Sequence, residues 1–269
     1  MTASKLMITS KPGAVWHLTL ARPEARNALS SPMLEALMTQ LGRAAVDPEC
    51  RVVILAGEGR DFCAGADLAE LTAARGGAGA IEYGQLLEAA LQAIEDQPQP
   101  VIVAVHGAAL GAGCQLVTAS DMAVASEDAR IGIPSARLGI VIGYRSLERL
   151  ILSVGAKRAG ELVLAGRTLT GGEAASCGLV NQAVRAEDVS ARAEELARTI
   201  ASLAPLSVRA SKRGIRAVLN GLTTARDADV STSGDFDLIA AEAFASEDLG
   251  EGLDAVRERR TPRFRGKGT

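Results

Sequence analysis

Two short apolar runs, RVVILAG (51–57) and PVIVAVHG (100–107), constrain this chain more than anything else in it. Both close on a glycine, and neither has a polar face. Continuous runs of this length suit strands buried on both sides. AVWHLTLARP (14–23) alternates and stops at Pro23, so it predicts a further strand, and DMAVAS (121–126) predicts another. Helical signals lie between the strands. SSPMLEALMTQLGRAA (30–45) predicts a helix with Ser31 as N-cap and Pro32 at the first helical position. IEYGQLLEAALQAIED (81–96) has helical spacing, and ARGGAGA (74–80) before it reads as a mobile loop. YRSLERLILSVG (144–155) predicts a helix capped by Gly155. After Asp188 the strand signals cease, and 188–203, 206–220, 223–246 and 250–259 read as four helices. The expected architecture is therefore α/β, with a core over 1–187 and a helical region over 188–269.

Composition excludes several classes. With 48% hydrophobic residues and only 3% aromatic ones, the 269-residue chain builds a large core from Ala, Val, Leu and Ile. A net charge of −3 is too weak for a nucleic-acid-binding protein. No apolar stretch is long enough to insert in a membrane, and the first residues do not read as a secretory signal. Cys50, Cys63, Cys114 and Cys177 lie far apart without a C-x-x-C pair, so a reduced, cytoplasmic setting is expected. The two histidines, His17 and His106, have no ligand-spaced partner, which argues against a metal site. There is no G-K-[ST], no G-x-S-x-G and no third glycine to complete a dinucleotide fingerprint.

Two loops remain that match each other. DFCAGADL (61–68) follows the first apolar run, and LGAGCQL (110–116) follows the second. Each is a small-residue turn leading into a helix, where backbone N–H groups have no intrahelical acceptor. Side by side, two such turns can aim two N–H groups at one oxygen. Each turn taken alone is equally compatible with tight packing and nothing more.

ARPEARNALS (21–30), GRDFCAGADL (59–68), PVIVAVHGAALGAGCQLVTASDMAVAS (100–126) and GRTLTGGEAASCGLVNQAV (166–184) resemble, in order, the signature segments of the crotonase superfamily, also called the enoyl-CoA hydratase/isomerase family. The resemblance covers nearly the whole chain. It implies a crotonase-like spiral of ββα turns and a C-terminal helical region that assembles homo-trimers, often paired into hexamers. It also implies an acyl-CoA ligand, a coenzyme A thioester, with no further cofactor. By position, the thioester oxygen would sit between the N–H groups of Ala66 and Ala112. The family more often has glycine at the second place, but alanine keeps the N–H. CoA would run along Glu24, Ala25 and Arg26, with Arg26 available to a phosphate. Ala64 and Asp67 fall where the family's loop meets the adenine and pantetheine.

The chain departs from its family at the reacting end. Hydratases of the family hold and split a water with two glutamates; the matching positions here are Gln115 and Ser135, and neither is a carboxylate. The family's dehalogenases have an aspartate near Gly143, and this chain has none there. Gln115 can donate and accept hydrogen bonds but cannot shuttle a proton near neutral pH. Arg137, Tyr144 and Arg145 also bring polarity, each with an equally good reading as surface or packing residues. His106 and Asp121 read as structural, and Cys63 and Cys114 as small fillers. Two functions stay open: an enzyme that polarises an acyl thioester, and an acyl-CoA-binding protein that has lost hydration.

Overall fold

The computed structural model describes residues 6–10, 13–73, 78–138, 140–224 and 247–265. The strands are β1 (Met7–Ser10), β2 (Val15–Leu20), β3 (Val52–Gly57), β4 (Val101–Val105), β5 (Ala108–Leu110), β6 (Met122–Ser126), β7 (Arg130–Gly132), β8 (Leu169–Thr170) and β9 (Gln182–Val184). The helices are α1 (Ser31–Val46), α2 (Leu68–Ala73), α3 (Ala78–Glu95), α4 (Ala112–Ala119), α5 (Tyr144–Leu164), α6 (Gly171–Ser176), α7 (Val189–Ala201), α8 (Pro205–Thr224) and α9 (Glu247–Glu258).

Both apolar runs are interior strands. A six-stranded sheet has the order β1-β2-β3-β4-β6-β9, and every pair from β2 onward is parallel. Its one antiparallel partner is β1, at the edge. A second sheet, β5-β7-β8, has three strands. The chain steps between the two sheets: β4 lies in the large one and β5 in the small one, then α4 returns the chain to β6, and β7 follows in the small sheet. Each step is one ββα turn of the spiral.

Side chains from alternate strand positions fill two cores. Leu18, Leu20, Val53, Leu55 and Val103 face α1, α3 and α4, with Leu34, Leu37, Leu91 and Leu116 closing over them. Val52, Ile54, Ile102 and Val124 face the other way and are covered by Val189, Ala193 and Ala197 of α7. The first helix after the strand signals cease therefore completes the sheet's second face. Truncating any of these fully buried leucines to alanine would cost about 2–5 kcal/mol.

Three local expectations are corrected. The N-cap of α1 is Ser30, not Ser31, and Pro32 stands at the second helical position. Ser30 is extended (φ −87°, ψ 160°) without a side-chain cap, and Glu70 Oε2 instead accepts from Ser31 N (2.9 Å) and Ser31 Oγ (2.7 Å). Gly155 does break α5, with φ 75° and ψ 160°, but the helix resumes and runs on to Leu164. The residues after Gly155, AKRAGELVL (156–164), are mostly good helix formers. Residues 78–80 open α3 rather than belonging to a loop, while 74–77 lie outside the described residues. So does most of the expected helix over 223–246. Among the described residues, no helix is long and apolar enough to cross a membrane.

Candidate active site

Parallel neighbours β3 and β4 end on the same side of the sheet, so the loops that follow them emerge together. They are joined by backbone hydrogen bonds: Cys63 N donates to Ala108 O (2.8 Å) and Leu110 N to Cys63 O (3.0 Å). A third segment interlocks with them, because Leu29 N donates to Gly65 O (2.8 Å) and Asp67 N to Leu29 O (3.0 Å). Two glycines permit this closeness. Gly65 has φ +119°, and a Cβ there would lie 3.0 Å from Leu110 O. A Cβ on Gly113 would fall 2.4 Å from Cys63 O, so α4 can seat its first turn on the loop only without a side chain there. Among the described residues, no acceptor meets the N–H of Ala66 or that of Ala112, the first residue of α4.

Both alanines line one cavity of about 1170 Å³, enclosed by the two loops, α3, the start of α4, the turn at Ser135–Leu138 and the start of α5. Its wall is mainly apolar, with Leu87, Leu110, Val141 and Ile142 among its members. Gln115, Ser135 and Gly143 also line it, as do Ala25, Ala64 and Asp67. Gly143 is the N-cap of α5 and accepts from Leu147 N at 3.1 Å. Glu24 and Arg26 are not part of the wall; Glu24 is exposed on the short turn Pro23–Ala25. Arg26 Nε donates to Asp61 Oδ2 (2.7 Å), leaving a side chain that is 55% exposed. That hydrogen bond raises the Arg26 pKa and, in turn, holds the Asp61 carboxyl below the usual range.

Asp61, Asn27 and Ser146, to which no sequence motif assigns a role, also shape the site. Asp61 Oδ1 accepts from Ala108 N (2.8 Å), and Asn27 Nδ2 donates to the carbonyls of Glu58 (2.9 Å) and Asp61 (2.7 Å). These two buried side chains hold the three segments in register. Asn27, in a left-handed conformation (φ 55°) directly after EAR, carries a local signal that could have marked it. Ser146 Oγ donates to Gln115 Oε1 (2.8 Å) from the first turn of α5. Nothing local in the sequence announces a bond between two helices.

Asp67 and Glu88 are the only carboxylates among the described residues of the wall, and both are engaged. Burial opposes ionisation of Asp67, but hydrogen bonds from Arg22 and from the Ala69 backbone outweigh it and lower its pKa. Glu88 gives both oxygens to Arg149, at 2.5 and 3.0 Å. The Cys63 and Cys114 thiols are buried, which pushes each up to about 12 and keeps them protonated at neutral pH. His106 Nε2 bonds the Gly59 carbonyl (2.9 Å). Asp121 accepts from Val101 N and from the buried Lys212 of α8, each at 2.7 Å. Tyr144 is 77% exposed, and Arg145 pairs with Glu148. The wall thus offers backbone donors, neutral side-chain groups and the guanidinium groups of Arg137 and Arg145, with its carboxylates already held by arginines.

The chain was compared with proteins of known sequence and structure. The family model described as enoyl-CoA hydratase/isomerase matches residues 10–267. A 2,3-dehydroadipyl-CoA hydratase of Escherichia coli is 38% identical over 266 residues, covering 97% of this chain and 99% of that protein. A short-chain-enoyl-CoA hydratase of Clostridium acetobutylicum is 34% identical, covering 94% and 95%. The crystal structure of an enoyl-CoA hydratase from Bacillus anthracis superposes with a TM-score of 0.86 at 34% identity, over 97% of this chain and 100% of that one. Sequence match, fold and the interlocked loops agree, and the chain belongs to the enoyl-CoA hydratase/isomerase family of the crotonase superfamily.

Proposed function

We propose that the cavity binds a fatty acyl-CoA thioester and that the N–H groups of Ala66 and Ala112 hold its carbonyl oxygen. The observation that carries this reading is two backbone donors without acceptors on the wall of one largely apolar cavity. Donors fixed in advance stabilise the charge that grows on a polarised thioester oxygen. The relatives' names supply the ligand class, since both hydratases above are named for CoA thioesters. Ala25, Ala64 and Asp67 would border the CoA arm, and Arg26, with only Nε engaged, keeps N–H groups for a phosphate. Glu24 would lie beside that arm, outside the cavity. A cytoplasmic setting is part of this reading, supported by four free cysteines.

Calorimetric titration with acyl-CoAs, against CoA alone and free fatty acid, tests the proposal. Saturable binding of the thioesters well above both controls is expected, and no binding by any thioester would sink it. Ala112→Gly should bind as the natural protein does. Ala112→Pro removes the N–H at a helical position where proline is tolerated, and should weaken thioester binding by about tenfold. A folded Ala112→Pro protein with unchanged binding would refute the assignment of that donor.

A second reading has its own support: a protein that binds acyl-CoA without hydrating it. By the family resemblance, Gln115 and Ser135 would take the places of a hydratase's two glutamates, and both carboxylates of the wall are held by arginines. We adopt acyl-CoA binding with a polarised thioester as the common ground of both readings, and slow hydration as its consequence.

We further propose a trimer, or a dimer of trimers. Helix α8 leaves Ile215 (62%) and Val218 (65%) exposed one turn apart, a face that association would cover. The stretch AAEAFAS (240–246), which reads as a further apolar surface, lies outside the described residues. Light scattering should give three or six times the chain mass, and a stable monomer at micromolar concentration would contradict it.

A further inference from the structure

Four charged side chains line the cavity among the described residues: Asp67, Glu88, Arg137 and Arg145. Three of them are already paired. Arg22 holds Asp67, Arg149 holds Glu88, and Arg145 Nη1 donates to Glu148 Oε2 at 2.8 Å. Arg137 is the exception, since no described residue accepts a hydrogen bond from its guanidinium. Its side chain nevertheless has a definite seat. It lies across the backbone of buried Gly166, where an added Cβ would fall 3.1 Å from Arg137 Nε and 3.4 Å from Arg137 Cγ. The carboxylates nearest to Gly166 in sequence, Glu161 and Glu173, are taken by Arg158 and Arg167. Shape holds this arginine on the wall, and its charge is left open.

Its place on the wall says which part of a ligand would meet it. In the thioester reading, Ala25, Ala64 and Asp67 border the CoA arm, and Ala66 and Ala112 hold the carbonyl oxygen. The turn Ser135–Leu138 and the segment leading into α5 are left for the acyl chain, and Arg137 stands on that turn. Leu138, Ile140, Val141 and Ile142 continue the same wall. An acyl chain laid along them displaces water from the guanidinium. A chain ending in a methyl group offers nothing to offset that loss. A terminal carboxylate does, because the planar guanidinium presents paired N–H donors that match two carboxylate oxygens.

We propose that Arg137 selects the far end of the acyl chain, and that the preferred ligands are CoA thioesters whose acyl chain ends in a carboxylate. Nε lies against Gly166, so the two Nη groups make the pair. Arg145 contributes less, because Glu148 already offsets its charge. The inference rests on the thioester reading above and concerns the end of the ligand remote from the thioester.

The test is calorimetric titration with acyl-CoAs of increasing length, each as the plain chain, the terminal carboxylate and the terminal carboxamide, with CoA alone as control. At the best-fitting length the carboxylate form should bind about tenfold more tightly than the plain chain, with the carboxamide close to the plain chain. Added salt should shrink the difference, as it does for a partly exposed ion pair. Arg137→Met keeps the stem on Gly166 and should abolish the preference while plain chains bind as before. Arg137→Lys should retain part of it, and Arg145→Met most of it. Equal affinity for carboxylate and plain forms at every length would overturn the proposal while leaving thioester binding intact. A preference that survives Arg137→Met, or that Arg145→Met removes instead, would overturn it as well. Weaker binding of CoA alone by Arg137→Met would assign the arginine to a CoA phosphate and refute a role at the far end. Failure of every thioester to exceed CoA would remove the underlying reading.

Discussion

The natural protein is expected to hydrate short-chain enoyl-CoAs slowly, and the double variant Gln115→Glu/Ser135→Glu is expected to be faster. A positioned general acid or base contributes about 10²–10⁴-fold, and the effects of groups acting on one water do not simply multiply. Gln115 to Glu is nearly isosteric, so the first carboxylate should fit. It would also exchange an acceptor that receives the Ser146 hydroxyl for a charged one, which keeps that bond. Ser135 to Glu adds bulk on a buried position beside the cavity, so a gain at the lower end, about 10²-fold, is the expected result. Two carboxylates close together repel, which raises the pKa of one and suits it to carry a proton. Loss of the enoyl-thioester absorbance, followed for the natural, single and double variants, measures this. Rapid hydration by the natural protein would show that another group serves as base. A folded, ligand-binding double variant with no gain would show that these two positions do not face the reacting carbon.

The second large effect concerns stability. Arg149 is 5% exposed and joins Glu88 of the cavity wall to Glu95, which also takes Arg216 of α8 at 2.6 Å. Burial lowers the arginine's hold on its proton, but the bonds to Glu88 and Glu95 outweigh it and raise the pKa. Arg149→Met would keep much of the apolar stem and strand the two glutamates. Breaking a buried pair in this way costs about 3–5 kcal/mol, and the remaining Arg216 bond places the expected loss near about 3 kcal/mol. Urea unfolding should show a lower midpoint with an unchanged slope. A loss below about 1 kcal/mol would mean that the network behaves as a surface pair.

The strands at 52–57 and 101–105 were legible because an uninterrupted apolar run of that length can be satisfied only by burial on both faces. The small-residue loops after them were legible for the same local reason. Helix ends were less so: α1 is capped through Glu70, 39 residues away, so the sequence around Ser30 and Ser31 does not contain the partner that fixes its start. Gly155 signalled a break correctly but could not say whether the chain would turn away or resume. The bonds that shape the wall lie furthest from any local pattern. Ser146 to Gln115, Arg149 to Glu88 and Arg26 to Asp61 join residues that only the spiral brings together.

The three interlocked segments carry a consequence for how this chain can change over generations. Leu29 is bound to Gly65 and Asp67, and Leu110 to Cys63, through main-chain atoms, and the two open donors are main-chain atoms as well. Mutation reaches such a device through proline, through a side chain where Gly65 or Gly113 leaves no room, or through loss of the Asn27 and Asp61 side chains that hold it in register. Gln115 and Ser135 sit on separate elements and can be exchanged one at a time without disturbing it. On the proposed reading, drift at those two positions would alter or abolish chemistry while the grip on the ligand persists, and a lineage could pass through inactive binders on its way to a different reaction.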